Sequence, residues 1–200
     1  QFSTRSPYLP QRPAMERPGA PLMAALAGAS LGLAVWWSRR KVRIAKSIYV
    51  DGLGEVAVKQ QRSGGKIHVT LDWKSLLGIP FELPFCSAVV TDGGTIYVSG
   101  SIGAQRGLDG KPMIVPGGPE KEAIQTLRTI EAVLKACGAG LEHVTMVHAF
   151  LVDYSQERFQ AMNKGYFEVW GSRPLPARIC TGTDHVGLNG SVEMDAVAQL

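Results

Sequence analysis

The sequence predicts an α+β fold in which a mixed β-sheet carries two helices on one face, preceded by one transmembrane helix. The C-terminal part alternates runs of β-branched and aromatic residues with two stretches whose apolar residues recur every three or four positions, in the order β-β-α-β-α-β. Near the N-terminus, the 21 residues Pro18–Ser38 carry no charge and are mostly apolar. The sequence therefore predicts a transmembrane segment followed by a folded domain.

The composition suits one globular domain with extensions. The 200 residues are 45% hydrophobic and 19% charged, which is enough apolar material to bury a core. The net charge of +4 is uneven: residues 1–46 hold eight Arg or Lys against the single acid Glu16, so they carry +7 and residues 47–200 carry −3. Nucleic-acid binding requires a basic folded surface. We therefore expect no nucleic-acid partner.

The spacing of cysteine and histidine argues against disulfides and metal sites. The three cysteines are far apart and form no C-x-x-C pair, and no two of the four histidines are spaced i, i+4. This does not fit a disulfide framework or a structural zinc site. We expect no metal ion and a reducing compartment. The residues concerned are Cys86, Cys137 and Cys180, with His68, His143, His148 and His185.

Residues 1–20 form a Pro-rich basic leader. Five prolines between Pro7 and Pro21 preclude a regular helix there. The segment Gln1–Arg5 resembles the end that mitochondrial processing leaves when it removes an Arg-rich presequence. We therefore expect a processed mitochondrial protein, with a plastid as the alternative.

Residues 21–38 are predicted to form the transmembrane helix. A helix of this length spans roughly 30 Å, the thickness of the bilayer hydrocarbon core. Trp36 and Trp37 would lie at the interface, and the basic run Arg39–Arg43 places the C-terminal side in the matrix or cytoplasm. A signal peptide would be followed by a small-residue cleavage site, but here a basic run follows. A buried core helix would show a polar stripe, and this segment has almost none. We therefore favour a single transmembrane span.

Small residues on this segment predict contact with other transmembrane subunits. Ala24, Gly28 and Gly32 recur every four residues, which allows helix backbones to approach closely. Together with the free thiols and the basic flank, this predicts a protein of the mitochondrial inner membrane whose C-terminal domain lies on the matrix side.

Residues 39–83 are predicted to form a basic linker and a β-hairpin extension. The segment Lys66–Trp73 alternates strictly and places Ile67, Val69, Leu71 and Trp73 on one face. Val56–Val58 can pair with it through the turn at Ser63–Gly65. An isolated hairpin is marginally stable in water, so it must dock either on the following domain or on a partner protein.

Residues 84–200 form the predicted folded domain, which begins with a hairpin and a helix. Ser87–Val90 and Thr95–Ser99 are the two strands, separated by an Asp-Gly-Gly turn. Pro119 begins the helix, and Gly138 ends it. The apolar stripe of this helix is Ala123, Leu127, Ile130, Leu134 and Cys137.

A strand, a second helix and two further strands complete the domain. Val144–Val152 is the strand, and Ser155 caps the helix. The last strands are Ala177–Thr183 and Ser191–Gln199. The stripe of the second helix is Phe159, Met162, Tyr166 and Trp170, before Gly171.

From about Pro84 to the end, the chain resembles the RidA/YjgF family. The segment Pro174–Cys180 matches the family's Pro-Ala-Arg-x-Cys signature, and Ser191–Ala198 is similar to the closing strand that carries its acidic residue. Val98–Gly100 and Asn163 also fall where the family pattern has them. The resemblance implies a chorismate-mutase-like fold of RidA type. It also implies a homo- or heterotrimer with a cleft between each pair of subunits, which hydrolyses reactive 2-imino or 2-enamino acids without a cofactor.

The resemblance also implies roles for six residues. Arg178 offers a planar fork that can bind the substrate carboxylate, and Glu193 can direct a water or move a proton. A period of two puts Arg178 and Cys180 on one face of their strand. The alternative is that Arg178 and Glu193 form a salt bridge across neighbouring strands. Substrate-binding positions are Ser99, Asn163, Cys180 and Phe85, of which Phe85 replaces the tyrosine of many active members.

Two functions fit these observations. The first is a membrane-tethered RidA-like deaminase that converts imino acids to keto acids and ammonia. The second is a structural accessory subunit of a large organellar inner-membrane complex, such as a respiratory or ATP-synthase complex, in which the RidA-like domain serves for docking. The site residues favour the first function, and the added N-terminal segments favour the second.

Overall fold

The computed structural model of the chain describes residues 42–51 and 53–200. The predicted leader and the predicted transmembrane segment, residues 21–38, lie outside the described residues. Among the described residues, no helix combines the length and the apolar character needed to cross a membrane.

The described part of the chain contains ten strands and three α-helices. The strands are β1 (Ser47–Val50), β2 (Gly54–Ser63), β3 (Lys66–Leu71), β4 (Ala88–Thr91), β5 (Thr95–Ile102), β6 (Ala104–Arg106), β7 (Pro112–Ile114), β8 (Val144–Val152), β9 (Ala177–Thr183) and β10 (Val192–Gln199). The helices are α1 (Trp73–Leu77), α2 (Gly118–Ala136) and α3 (Gln156–Trp170).

Eight of these strands form one mixed sheet in the order β1-β2-β3-β4-β5-β10-β8-β9. All neighbours are antiparallel except β8 and β9, which are parallel. The last strand of the sequence, β10, lies between β5 and β8. This order confirms the predicted mixed sheet and puts β9 at an edge, one strand away from β10.

The predicted extension hairpin is confirmed as β2 and β3. Ser63 pairs with Lys66 across the two-residue turn Gly64-Gly65, whose φ angles of 55° and 74° suit glycine. β3 then pairs with β4, where Val69 lies opposite Ala88. The extension therefore docks on the following domain and lengthens its sheet.

The strict alternation of β3 ends at Leu71, so the prediction that Trp73 continues it is wrong. Asp72 caps α1 instead: its carboxylate accepts hydrogen bonds from the Lys74 amide, at 3.2 Å, and from the Ser75 hydroxyl. Trp73 is the first residue of this short helix. Asp72 directly follows β3, and its helix-capping side chain starts a helix where the apolar alternation alone would predict a longer strand.

Both predicted long helices are confirmed together with their apolar stripes. α2 packs on β5 and β10, and α3 packs on α2. Ser155 caps α3 by accepting a hydrogen bond from the Arg158 amide at 3.2 Å. The residues of the α2 stripe are all at most 1% exposed, and Met162, Tyr166 and Trp170 of α3 are buried. These helices cover one face of the sheet, because the sheet residues beneath them are buried while their neighbours in sequence are not.

Glu122 joins α2 to the beginning of β10. Its side chain is among the few buried polar ones, at 3% exposure. The carboxylate accepts hydrogen bonds from the backbone amides of Ser191 and of Val192, the latter at 3.1 Å. Ser191 directly precedes β10 and Val192 is its first residue, so Glu122 fixes where the strand that carries Glu193 starts.

We expect Glu122→Ala to lower the free energy of unfolding by about 2 to 4 kcal/mol, because two buried amides lose their acceptor. Glu122→Gln retains an acceptor oxygen and should recover part of the loss. Urea unfolding of the full chain measures both. The matched control is Glu131→Ala on the same helix, which removes only a partly exposed pair with Lys135 and should cost less than about 1 kcal/mol. Equal losses at the two positions would contradict this role of Glu122.

Candidate active site

Arg178 lies on the edge strand β9 and faces helix α3. Its Nη2 donates a hydrogen bond of 2.7 Å to the Asn163 side-chain oxygen. The guanidinium carbon is 4.5 Å from the ring centroid of Tyr166 and 5.8 Å from that of Phe159, which are cation–π distances. Two of the predicted site residues, Arg178 and Asn163, are thus in direct contact.

The charge of Arg178 has no carboxylate partner within the described residues. None of the salt bridges found there includes it, and its buried Nη1 has no hydrogen-bond acceptor. A buried donor without an acceptor is costly, more so on a charged group. The half-buried guanidinium is held in place by Asn163, and its Nη1 can still donate a hydrogen bond to a bound anion.

Cys180 follows two residues later on the same face of β9, as its spacing predicts. Burial raises the pKa of its thiol, and the nearby Arg178 cation opposes that rise. Cys137, at the C-terminal end of α2, shows the effect of burial more strongly, since its pKa is raised to about 12. All three cysteines are free thiols. A mostly protonated Cys180 thiol suits a residue that borders the site better than a nucleophile.

Glu193 lies on the opposite face of the sheet. In β10 it pairs with Ile102 of β5 and Phe150 of β8, on the side away from the helices. Burial and then the neighbouring Asp195 carboxylate raise the pKa of Glu193. Asp195 itself lies 2.7 Å from the His148 ring nitrogen. A carboxyl group in this environment takes up a proton more readily than an exposed glutamate, as proton transfer requires.

Ser99 precedes Gly100, the β5 residue that lies against the Glu193 carboxylate, and Phe85 lies in the segment before β4. The Ser99 hydroxyl donates a 2.7 Å hydrogen bond to the Cys86 carbonyl, so it ties β5 to the segment that carries Phe85. The next residue, Gly100, leaves room for Glu193, because a Cβ there would collide with the carboxylate. Phe85 is 47% exposed. Its ring offers no hydroxyl to a substrate or water.

The six predicted residues therefore form two groups within one chain. The arginine group is Arg178, Asn163 and Cys180, and the glutamate group is Glu193, Ser99 and Phe85. They lie on opposite faces of the sheet, and β8 separates β9 from β10. The alternative of a salt bridge between Arg178 and Glu193 on neighbouring strands is excluded within a chain, since the strands are not neighbours.

A groove of about 870 Å³ lies beside the glutamate group. Phe85 and Cys86 line it together with His68 and Trp73 from the extension. The Cys86 sulfur is 3.8 Å from the His68 ring. Neither residue is among the site residues predicted from the sequence, although the alternation of β3 puts His68 on the face away from the helices. Within residues 42–51 and 53–200, no three His, Cys, Asp or Glu side chains are placed to hold a metal ion.

Comparisons with known proteins agree with this fold. Residues 81–200 match the family model described as endoribonuclease L-PSP. The chain is 38% identical over 116 residues to the RutC family protein UK114 of Drosophila melanogaster, covering 58% of this chain and 78% of that protein. It is 34% identical to a 2-iminobutanoate/2-iminopropanoate deaminase of Capra hircus, covering 58% and 79%. The crystal structure of yeast Mmf1 superposes with a TM-score of 0.51 at 26% identity, covering 62% of this chain and 92% of that one.

The proximity of Arg178 and Cys180 gives a pH-dependent prediction. Because the cation lowers the thiol pKa, Arg178→Met should move the midpoint of Cys180 alkylation by iodoacetamide to higher pH and slow alkylation below it. Mass spectrometry of peptides separates Cys180 from Cys86 and Cys137. The control Lys164→Gln removes an exposed cation that pairs with Glu120, and it should leave the midpoint unchanged. An unmoved midpoint in Arg178→Met would mean that the guanidinium does not act on the thiol.

Proposed function

The chain belongs to the RidA/YjgF family, as its match to the endoribonuclease L-PSP model indicates, and on this premise we propose that it hydrolyses reactive 2-imino and 2-enamino acids to keto acids and ammonia. The observation that carries the proposal is the Arg178 guanidinium, which is held by Asn163 and has no carboxylate partner among the described residues. The substrate's carboxylate is the anion that would pair with this guanidinium and accept a hydrogen bond from its free Nη1.

The reaction needs one group that binds the substrate carboxylate and one group that carries protons. Arg178 binds the substrate carboxylate by charge-assisted hydrogen bonds and so positions the neighbouring imine carbon. Glu193 takes a proton from a water as the water oxygen bonds to that carbon, and it passes this proton to the imine nitrogen as the C=N π bond breaks. The resulting carbinolamine then loses ammonia: its hydroxyl proton moves to the leaving nitrogen, the C–N bond breaks, and the C–O bond becomes the keto group. The raised pKa of Glu193 suits this transfer.

The site is assembled from two copies of the chain in a trimer. Arg178 and Glu193 lie on opposite faces of one sheet, so one chain cannot present both to a small substrate. The arginine group of one subunit and the glutamate group of the next would line each cleft. Phe85 provides no hydroxyl to this cleft, so we expect slower turnover than in relatives with tyrosine there.

The shared site is tested by mixing two inactive variants. Arg178→Met and Glu193→Gln should each lose deaminase activity, measured as keto acid formed from a freshly generated imino acid. After subunit exchange at equal amounts, the whole sample should regain about a quarter of wild-type activity, because about three quarters of random trimers are mixed and one of the three interfaces in each mixed trimer has both groups intact.

Native mass spectrometry of the full chain identifies the mixed trimers, and exchange of one variant with itself is the control. Mixed trimers without recovered activity would mean that Arg178 and Glu193 do not meet between subunits. A wild-type chain that does not accelerate keto-acid formation would overturn the deaminase assignment, whereas an active Arg178→Met protein would overturn the role of Arg178.

The second candidate function is that of an accessory subunit in a large membrane assembly of the mitochondrial inner membrane, or of a plastid. The uncharged stretch at 18–38 and the extension β1–β3 lie outside residues 81–200, the part shared with the family. A soluble deaminase needs neither. In this role the segment at 21–38 spans the membrane with the folded domain on the matrix side, and Ala24, Gly28 and Gly32 contact other transmembrane subunits.

This second role predicts migration with a large complex on a native gel after mild detergent extraction. Gly28→Leu together with Gly32→Leu should release the chain, because larger side chains prevent close helix contact. The matched control Ser30→Leu enlarges a residue on the other side of the predicted helix and should leave the complex intact. Wild-type migration only as a trimer would contradict the accessory role.

A further inference from the structure

A basic cleft of about 530 Å³ lies where the extension meets the family domain. One wall is α1 and the segment after it, and the other is the β6–β7 hairpin. This volume is in the range of small-molecule sites. The cleft shares no residue with the arginine group or the glutamate group. It is lined by Lys74, Gly78, Pro80, Phe81, Arg106, Gly110, Lys111 and Pro112.

Three cations and no acid line the basic cleft. Lys74 comes from α1, Arg106 from β6, and Lys111 from the loop before β7. None of the three forms an ion pair in the part of the chain that the structure describes. The nearby carboxylates of Asp72 and Asp109 accept hydrogen bonds from the backbone amides of Lys74 and Lys111. The charge of the cleft is therefore available to an anion.

The walls of the cleft are fixed by a close approach of two backbones. Gly78 ends α1 with a φ of 77°, and a Cβ there would collide with the Gly110 carbonyl oxygen. The methylene stem of Arg106 also lies against Gly78. This contact holds Arg106 and the loop carrying Lys111 beside α1, so the three cations are placed before any ligand arrives.

An exposed aromatic ring lies at the edge of the cationic group. Phe81 is 66% exposed although it is a large apolar residue, and Pro80 and Pro112 flank the same cleft. An open aromatic face binds planar rings by stacking, and it does so for every nucleobase. The combination of three cations and a free ring face distinguishes this cleft from a surface that is merely basic.

We propose that the basic cleft binds a nucleoside diphosphate. Lys74, Arg106 and Lys111 contact the phosphates, and the base stacks on Phe81. A monocarboxylate would neutralise one of the three cations, and inorganic phosphate would leave the ring uncovered. The basic cleft adjoins the groove beside Phe85, since Lys74, Pro80 and Phe81 line both, but it contains none of the six residues proposed for the deaminase site.

The test is isothermal titration calorimetry of the full chain with ADP, pyrophosphate and inorganic phosphate. Arg106→Gln and Lys111→Gln should each weaken ADP binding about tenfold, since each removes a charge-assisted contact. Phe81→Leu should weaken ADP binding and leave pyrophosphate binding unchanged, because only ADP has a base to stack. Lys111 is exposed, so its substitution is compatible with folding.

The matched control is Arg62→Gln, which removes one cation at the far end of β3 from the cleft. It shows how much ADP binding falls when the chain loses one positive charge outside the cleft, because positive charge attracts any polyanion. ADP binding that falls equally in Arg62→Gln and Lys111→Gln, or no ADP binding, would overturn the proposal. Binding of an acidic peptide in preference to ADP, lost in the same cleft variants, would also overturn it and assign the cleft to a protein partner.

Discussion

The alternation of side chains along three adjacent strands determines what one copy of this protein can do. In β9 the period of two turns Arg178 and Cys180 toward the helices, and in β10 it turns Glu193 and Asp195 the other way. The strand between them, β8, pairs with both and fixes their registers. A slip of one residue in either pairing would move every side chain of a strand to the other face. Register, more than any single contact, therefore underlies the candidate site.

Much of the fold was predictable because its signals are local. The turn at Gly64-Gly65, the cap at Ser155 and the apolar stripe of α2 each depend on residues close in sequence, and all three are confirmed. The position of β10 was not predictable in this way, since it pairs with β5 about a hundred residues earlier. The short β6–β7 hairpin was missed as well, because three-residue strands carry too little pattern.

The site was predicted as a set of residues, and the structure supplies their arrangement. A strand pattern indicates which residues share a face only when the neighbouring strand is known. The order β10-β8-β9 separates Glu193 from Arg178, although the family motifs name both. Tyr166 was predicted as a core residue and is buried, yet its ring also lies under the Arg178 guanidinium. The residue type allowed that contact, but only the placement of α3 beside Arg178 in the folded chain produces it.

The extension β1–β3 also has a consequence for association between molecules. Without it, the backbone groups of β4 would form an open edge, the kind through which sheets of separate chains polymerise. Here β3 occupies that edge, and the outermost strand is β1, which has only four residues and covers Gly54–Ala57 of β2. Beyond β1, the outer edge of β2 carries Lys59 and Arg62, and charged side chains on an edge strand disfavour pairing with another chain. The added segment thus disfavours sheet-to-sheet association at this side of the molecule.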